Sequence, residues 1–137
     1  MAKVTVQSKQ NLRLEITSGK NTIAGDEPVE AGGEDTGLDP YALLLASLGA
    51  CTALTLKLYA RHKNWDLQSI TVELAHDKIH AEDCATCETK EGRIDQIRRE
   101  IYLVGNLTVE QQQRLREIAK RCPIHRTLTS EVSIMDL

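Results

Sequence analysis

The sequence predicts an α+β fold in which antiparallel sheet packs against one long, buried central helix, within a single domain over residues 1–137. Two observations carry this prediction. Apolar and polar residues alternate in several short runs, which is the period of a β-strand. Between these runs, residues 39–63 begin with Asp-Pro and end in Arg-His-Lys, the signals that start and stop a helix. The predicted order of elements is βββ-α-ββ-α-α-β.

The first 25 residues predict two or three antiparallel strands, because polar turn segments separate their alternating runs. Residues 26–38 follow, with one proline, three glycines and five acidic residues in no regular period. We expect a loop there, of a length that is often functional. The apolar residues of the alternating runs are Val4, Val6, Leu12, Leu14 and Ile16.

The central helix is apolar on almost every face. Lys57 is the only charge within residues 43–60, so we expect burial on most sides. The uncharged run before Lys57 is fourteen residues long, shorter than a bilayer requires, and no membrane span is predicted. Ser47, Cys51 and Thr55 lie four apart on one face, with a thiol at the centre of this narrow polar stripe.

Two more strands are predicted at residues 67–75 and 97–103, where alternation returns. The polar segment 76–92 between them holds Cys84 and Cys87, which we expect at a protruding hairpin end. Mixed charges in and before the second strand favour a solvated strand face. These charged residues are Arg93, Asp95, Arg98, Arg99 and Glu100.

The last third of the chain predicts two helices and a strand. Thr108 with Gln111 three residues later has the spacing of a capping box. The helix that starts there is interrupted at Cys122-Pro123, since proline cannot continue it, and a short helix restarts at the proline. Alternation at residues 132–134 predicts a final strand.

Composition narrows the classes of function. The net charge of -3 gives no electrostatic reason to expect nucleic acid, and four aromatic residues are too few for a stacking platform. No basic-then-apolar segment opens the chain, so a signal peptide is not predicted and we expect a cytoplasmic protein. Four cysteines in a chain able to fold without disulfides favour redox chemistry or metal binding.

Cys51 and Cys122 are the candidate reactive thiols. Taken alone, Cys51 is predicted to be a small buried apolar residue, which is the usual role of a free cysteine. Cys122 stands directly before a proline that can start a helix, where unpaired backbone amides favour a thiolate. Cys51 lies eleven residues past Pro40, too far from its helix start for that effect.

Three segments resemble the OsmC/Ohr family of bacterial hydroperoxide-reducing proteins: residues 39–44 (DPYALL), 48–53 (LGACTA) and 121–125 (RCPIH). The resemblance covers most of the chain. It implies an intertwined homodimer with its active sites at the subunit interface and the two central helices between the subunits. It also implies that Cys51 is the peroxidatic thiol and Cys122 the resolving thiol.

The same resemblance implies a substrate and a cycle. The Cys51 thiolate attacks an organic hydroperoxide and becomes a sulfenic acid, and Cys122 converts this to a disulfide that an external thiol or dithiol reduces. Neither metal nor flavin is implied. The family supplies an arginine from the N-terminal sheet, for which Arg13 is the candidate, although its alternation with Leu12 and Leu14 favours a solvated residue. Tyr41 stands where the family has a glutamate that holds this arginine.

The Cys84-x-x-Cys87 pair leaves three interpretations open: a zinc half-site with His76 or His80, a dithiol that relays electrons to the Cys51–Cys122 disulfide, or two cysteines without a fixed role. The alternatives to a peroxidase also stay open. One is a non-enzymatic dimer of the same fold that binds a small apolar ligand or a metal, and another is a redox switch whose disulfide alters a partner interaction.

Overall fold

The computed structural model describes residues 2–137 and confirms an α+β chain with antiparallel sheets and one long helix. By backbone contacts the chain divides into two compact units, Met1–Leu44 and Leu45–Leu137. The strands are β1 (Thr5–Ser8), β2 (Leu14–Ser18), β3 (Asn21–Gly25), β4 (Asp66–His80) and β5 (Arg93–Asn106), and the helices are α1 (Pro40–Lys63), α2 (Val109–Ile118) and α3 (Pro123–Leu128).

The first unit contains a three-stranded antiparallel sheet in the order β1-β2-β3, the upper number that the sequence predicted. β2 and β3 are joined by a two-residue turn whose Gly19 has φ +58, a backbone conformation that glycine adopts without steric cost. The loop that follows is organised by buried Asp26, whose carboxylate accepts from the N–H and the hydroxyl of Thr36. Hydrogen bonding by Thr36 lowers the pKa of Asp26.

The second unit is built on a long hairpin of β4 and β5, which pair antiparallel from Asp66↔Asn106 to His80↔Arg93. Both strands extend beyond the predicted ranges at both ends, and the added part of the hairpin includes the cross-strand pair Ile79↔Ile94. Residues 81–92 connect them.

A small apolar core lies between α1, α2 and the hairpin. Leu56 and Leu115 have no solvent exposure and pack with Ile101 and Ile118. The α2 N-terminus has the predicted capping box: Gln111 N–H donates to the Thr108 hydroxyl at 3.1 Å, and the Gln111 side chain accepts from Thr108 N–H. The predicted start of α2 is therefore confirmed.

The α1 helix is less buried within this chain than the sequence predicted. Its buried residues follow one face, and apolar side chains on another face stay open to solvent: Leu54 is 60% exposed and Leu58 is 59% exposed. Among residues 2–137, α1 is the one helix with the length and composition of a membrane span, and soluble core helices meet the same criterion. In the part of the chain that the structure describes, no element covers that face, so the burial predicted for most sides of α1 is only partial within a single chain.

The end of the chain corrects a second prediction. Residues 131–137 form neither strand nor helix, so the predicted strand at Val132 and Ile134 is absent. These side chains are 58% and 86% exposed, and a short alternating run forms a strand only when a neighbouring strand pairs with it. The break before Pro123 is confirmed: α2 ends at Ile118, a 3-10 turn follows over Ala119–Arg121, and α3 restarts at the proline.

Candidate thiol site

Cys122 occupies the N-cap of α3. Its φ of -61 and ψ of 135 are extended, as an N-cap requires, and its sulfur accepts a hydrogen bond from the backbone N–H of His125 at 3.2 Å. The residue is fully buried. The hydrogen bond to the sulfur therefore fixes the position of the Cys122 side chain at the start of α3.

The side chain of His125 contacts the guanidinium of Arg99, with 3.2 Å between Arg99 Nη2 and His125 Nδ1. A guanidinium can only donate, so Nδ1 must be the acceptor and the neutral ring carries its proton on Nε2. Burial is the largest effect on the pKa of His125, and it lowers that pKa together with the positive charges of Arg99 and Lys120. The imidazole is therefore held neutral at neutral pH.

The same guanidinium reaches α1. Arg99 Nη1 donates to Thr52 Oγ1 at 3.1 Å, and the Thr52 hydroxyl donates to the carbonyl of Leu48 at 2.7 Å. Thr52 is fully buried and directly follows Cys51, which is half-buried. Arg99 therefore joins the two segments that carry the candidate thiols, one through His125 and the other through Thr52.

Close packing of α1 on the hairpin accompanies this bridge. A Cβ placed on Gly49 would lie 2.8 Å from Leu74 Cδ1, closer than real carbon atoms approach. Leu74 is the cross-strand partner of Arg99, and Thr52 lies three residues after Gly49. The absence of a side chain at position 49 thus leaves room for the end of the Leu74 side chain, across the hairpin from Arg99.

A cavity of about 400 Å³ adjoins the bridge. Its volume is within the range of small-molecule sites. Apolar and polar groups share its wall, so it could hold a small molecule with an apolar body and a polar end. The lining residues are Leu48, Asp95, Ile97, Arg99, His125, Leu128 and Thr129.

Asp95 gives this cavity a carboxylate. Its Oδ1 lies 2.8 Å from His76 Nε2 and 3.7 Å from Lys78 Nζ. The hydrogen bond with His76 is the main cause that lowers the pKa of Asp95, and the charge of Lys78 acts in the same direction. The cavity wall therefore holds one fixed anion, one fixed cation and one neutral imidazole.

Both predicted reactive cysteines are free thiols in the structure. Arg13 is exposed in the connection between β1 and β2, and its carbonyl accepts from the N–H of Lys9. Tyr41 lies in the first turn of α1 and is 53% exposed. Arg99 contacts Thr52, the residue after Cys51, and His125, whose backbone N–H donates to the sulfur of Cys122.

Cys84 and Cys87 are bonded to each other, with 5.5 Å between their Cα atoms. A disulfide leaves no thiolate for a metal, so the zinc half-site does not describe this state. Within residues 2–137, no group of three or more histidine, cysteine, aspartate or glutamate side chains is arranged to hold a metal ion.

Sequence reasoning missed the role of Arg99. The mixed charges around it predicted a solvated strand face, whereas the side chain is half-buried and has two buried or half-buried partners. Its position in the strand alternation could have revealed this role. Arg99 lies two residues from Ile97 and two from Ile101, so its side chain is on the inward face of β5. His125 is also half-buried, and its side chain contacts this same arginine.

Comparisons with known proteins agree with this architecture. An OsmC-like protein from Mycoplasma pneumoniae is 21% identical, with a TM-score of 0.72 over 93% of this chain and 86% of that one. OsmC, an organic hydroperoxide resistance protein from Legionella pneumophila, is 19% identical, with a TM-score of 0.65 over 94% and 89%. The organic hydroperoxide resistance protein OhrB of Bacillus subtilis is 23% identical, with a TM-score of 0.61 over 94% and 90%.

These TM-scores establish a shared fold. A search of the curated proteins finds no matching sequence. The profile of the OsmC-like protein family matches residues 32–135, which include α1, the hairpin, both cysteine segments and the Arg99 bridge. The chain therefore belongs to the OsmC-like protein family.

Proposed function

We propose that the chain is a thiol-dependent peroxidase that reduces small organic hydroperoxides, with Cys51 as the peroxidatic thiol and Cys122 as the resolving thiol. The observation that carries the proposal is the Arg99 bridge, which binds Thr52 beside one thiol and His125 beside the other. Two of the structurally similar proteins are organic hydroperoxide resistance proteins, which supports the same class of substrate.

The proposed reaction has two steps in the protein. The Cys51 thiolate attacks one oxygen of the O–O bond, which breaks and releases an alkoxide that takes up a proton to become the alcohol. The sulfur, now oxidised by two electrons, is a sulfenic acid. The Cys122 thiol then attacks this sulfur, a disulfide forms and water leaves. An external dithiol restores both thiols and is itself oxidised to a disulfide.

The bridge supplies the polar groups that this chemistry uses. The Arg99 guanidinium is a permanent cation in the cavity wall, where it would stabilise negative charge on the leaving oxygen. His125 keeps its proton on Nε2 while Nδ1 accepts from Arg99, so Nε2 can donate to an oxygen of the substrate. Leu48, Ile97 and Leu128 give the cavity wall the apolar surface that an alkyl group would contact.

We also propose that the chain works as a cytoplasmic homodimer. The face of α1 that carries Leu54 and Leu58 is apolar and open in the single chain. Exposed apolar surface of this kind marks an association surface. A second copy of α1 would cover it and would complete the burial that the apolar composition of the helix predicts.

The test is stopped-flow oxidation of the reduced protein by cumene hydroperoxide, in a Cys84→Ser/Cys87→Ser background that removes the other pair. We expect one equivalent of peroxide to be consumed far faster than by free cysteine, with one intramolecular disulfide formed. Cys51→Ser should abolish the reaction. Cys122→Ser should still react once and leave a sulfenic acid that dimedone labels.

Two results would contradict the proposal. A rate equal to that of free cysteine would leave a non-enzymatic binding protein or a redox switch as the function. Equal behaviour of Cys51→Ser and Cys122→Ser would show that the two thiols do not divide the work as proposed.

A further inference from the structure

The Cys84–Cys87 disulfide lies in the connection between β4 and β5, which the proposed peroxidase cycle does not use. Both residues are half-buried, and all their neighbours from Glu82 to Gly92 are exposed. An external thiolate can therefore reach the bond without unfolding of the core, because thiol–disulfide exchange needs access along the S–S axis.

The hairpin is closed below the disulfide by other interactions. Ala81 is fully buried, and its N–H donates to the carbonyl of Gly92 at 2.8 Å, one step beyond the last strand pair, His80↔Arg93. These bonds hold the two ends of the connection whether or not the sulfurs are joined. Reduction of the disulfide therefore leaves the hairpin intact, which a reversible couple requires.

The disulfide is separated along the hairpin from Arg99, the residue that joins the two thiol segments. Arg99, the residue that contacts His125 beside Cys122, lies six residues further along β5 than Arg93 at the hairpin end. At roughly 3.3 Å per residue this is about 20 Å of strand. Exchange needs contact between sulfurs, so the two pairs of cysteines are separate redox couples within one chain.

The connection is acidic. Residues 81–92 contain four carboxylates and a single lysine, Lys90, with Arg93 at the base. All these carboxylates are exposed, so their field acts on molecules that approach through solvent. The carboxylates are Glu82, Asp83, Glu88 and Glu91.

We infer that Cys84 and Cys87 form a second, independent thiol–disulfide exchange site, whose co-substrates are external thiols and dithiols that carry little negative charge. An external thiolate attacks one sulfur, the S–S bond breaks, and a mixed disulfide forms while the other sulfur leaves and takes up a proton. A second external thiol then releases the reduced pair and leaves as an external disulfide. Two electrons and two protons enter the protein, and an external disulfide can reverse these reaction steps.

The experiment uses the full chain with Cys51→Ser and Cys122→Ser, so that the result does not depend on the proposed peroxidase reaction. Reduction is quenched with an alkylating reagent and followed by mass at Cys84 and Cys87. Three thiols are compared at 20 mM and 500 mM salt. Their attacking thiolates carry net charges of 0 (cysteamine), -1 (2-mercaptoethanol) and -2 (mercaptoethanesulfonate).

We expect salt to accelerate mercaptoethanesulfonate about fivefold and 2-mercaptoethanol about twofold, and to leave cysteamine almost unchanged, because screening removes repulsion in proportion to charge. Glu82→Gln/Glu88→Gln should reduce the effect. The matched control, Glu110→Gln/Glu131→Gln, removes the same charge from exposed positions elsewhere and should not.

Two outcomes overturn the inference. If the native disulfide is reduced more than about a hundredfold more slowly than in an unstructured peptide of residues 80–93, the bond is structural and not an exchange site. If the three thiols respond equally to salt, the acidic connection does not select its co-substrate.

Discussion

Arg99 and His125 are joined by a hydrogen bond of 3.2 Å that runs from a guanidinium nitrogen to the unprotonated nitrogen of an imidazole. Both groups can be cations, and they can lie this close only while the histidine stays neutral. Protonation of His125 would replace the acceptor with a second donor and place two positive charges in contact. The site therefore contains an element that responds to pH.

The first prediction concerns this response. The pKa of His125 is lowered in the folded chain from its usual value of about 6.5, so below pH 6.5 the unfolded chain binds more protons than the folded chain. Stability should consequently fall as the pH falls from 6.5 to the lowered pKa, and this contribution should be constant above about pH 7. Urea unfolding between pH 5 and 7.5 measures it.

The control for the pH experiment is His125→Asn, which keeps an oxygen acceptor for Arg99 but does not titrate. Its free energy of unfolding should depend less on pH than that of the natural chain in the window below pH 6.5. Parallel curves for the two proteins would assign the pH dependence to other groups.

The second prediction is that Arg99→Lys weakens both stability and peroxidase activity. Lysine is a point charge without the fork of a guanidinium, so it cannot bind Thr52 and His125 together. Loss of a partner from a buried polar group costs about 1–3 kcal/mol. We expect a loss of this size in urea unfolding and at least a tenfold fall in kcat/KM for cumene hydroperoxide.

Arg98→Lys is the matched control, since Arg98 is the exposed neighbour on the opposite face of β5. It should change stability by less than about 0.5 kcal/mol and leave kcat/KM unchanged. Similar losses in both variants would mean that general positive charge on the hairpin, and not the bridge, supports the reaction.

The third prediction concerns the core of the second unit. Leu56 has no solvent exposure and belongs to the cluster that joins α1 to α2 and the hairpin. Leu56→Ala should lower the free energy of unfolding by about 2–5 kcal/mol, because it removes buried apolar surface and leaves a cavity. Lys57→Ala, at the next and exposed position, should cost under about 0.5 kcal/mol.

The fourth prediction tests self-association through α1. Leu58→Glu places a charge on the open apolar face, where a second helix would have to bury it, so we expect the variant to sediment as a monomer. Lys57→Gln, the control, changes the net charge by the same one unit at a neighbouring exposed position and should leave the dimer intact. If the natural chain already sediments as a monomer, it does not form a dimer. If both variants remain dimers, the dimer forms through another surface.

The helices were predictable because local chemistry fixes their ends. Asp39 accepts a hydrogen bond from the N–H of Ala42 at 2.8 Å, and Pro40 is the first residue of α1, as the Asp-Pro pair predicted. The same holds for the capping box at Thr108 and for the restart at Pro123. Each of these signals acts within a few residues, so a sequence displays it completely.

The wrong predictions concern features that depend on contacts between distant parts of the chain. A run such as Val132 to Ile134 has the period of a strand but needs a partner strand, and period alone does not supply one. Arg99 was predicted to be solvated because it is charged, although it shares the inward face of its strand with Ile97. An arginine on the buried face of a strand needs hydrogen-bond acceptors. Arg99 has two, Thr52 and His125, which lie 47 residues before it and 26 residues after it in the sequence.

Gly49 leaves the space that the end of the Leu74 side chain occupies. An alanine there would place its methyl group 2.8 Å from Leu74 Cδ1, so the flexible leucine side chain would have to move aside. Leu74 is the cross-strand partner of Arg99, so residue volume at position 49 is coupled to the packing beside the bridge through one leucine. Gly49→Ala therefore changes the packing around the guanidinium without replacing any polar group of the site.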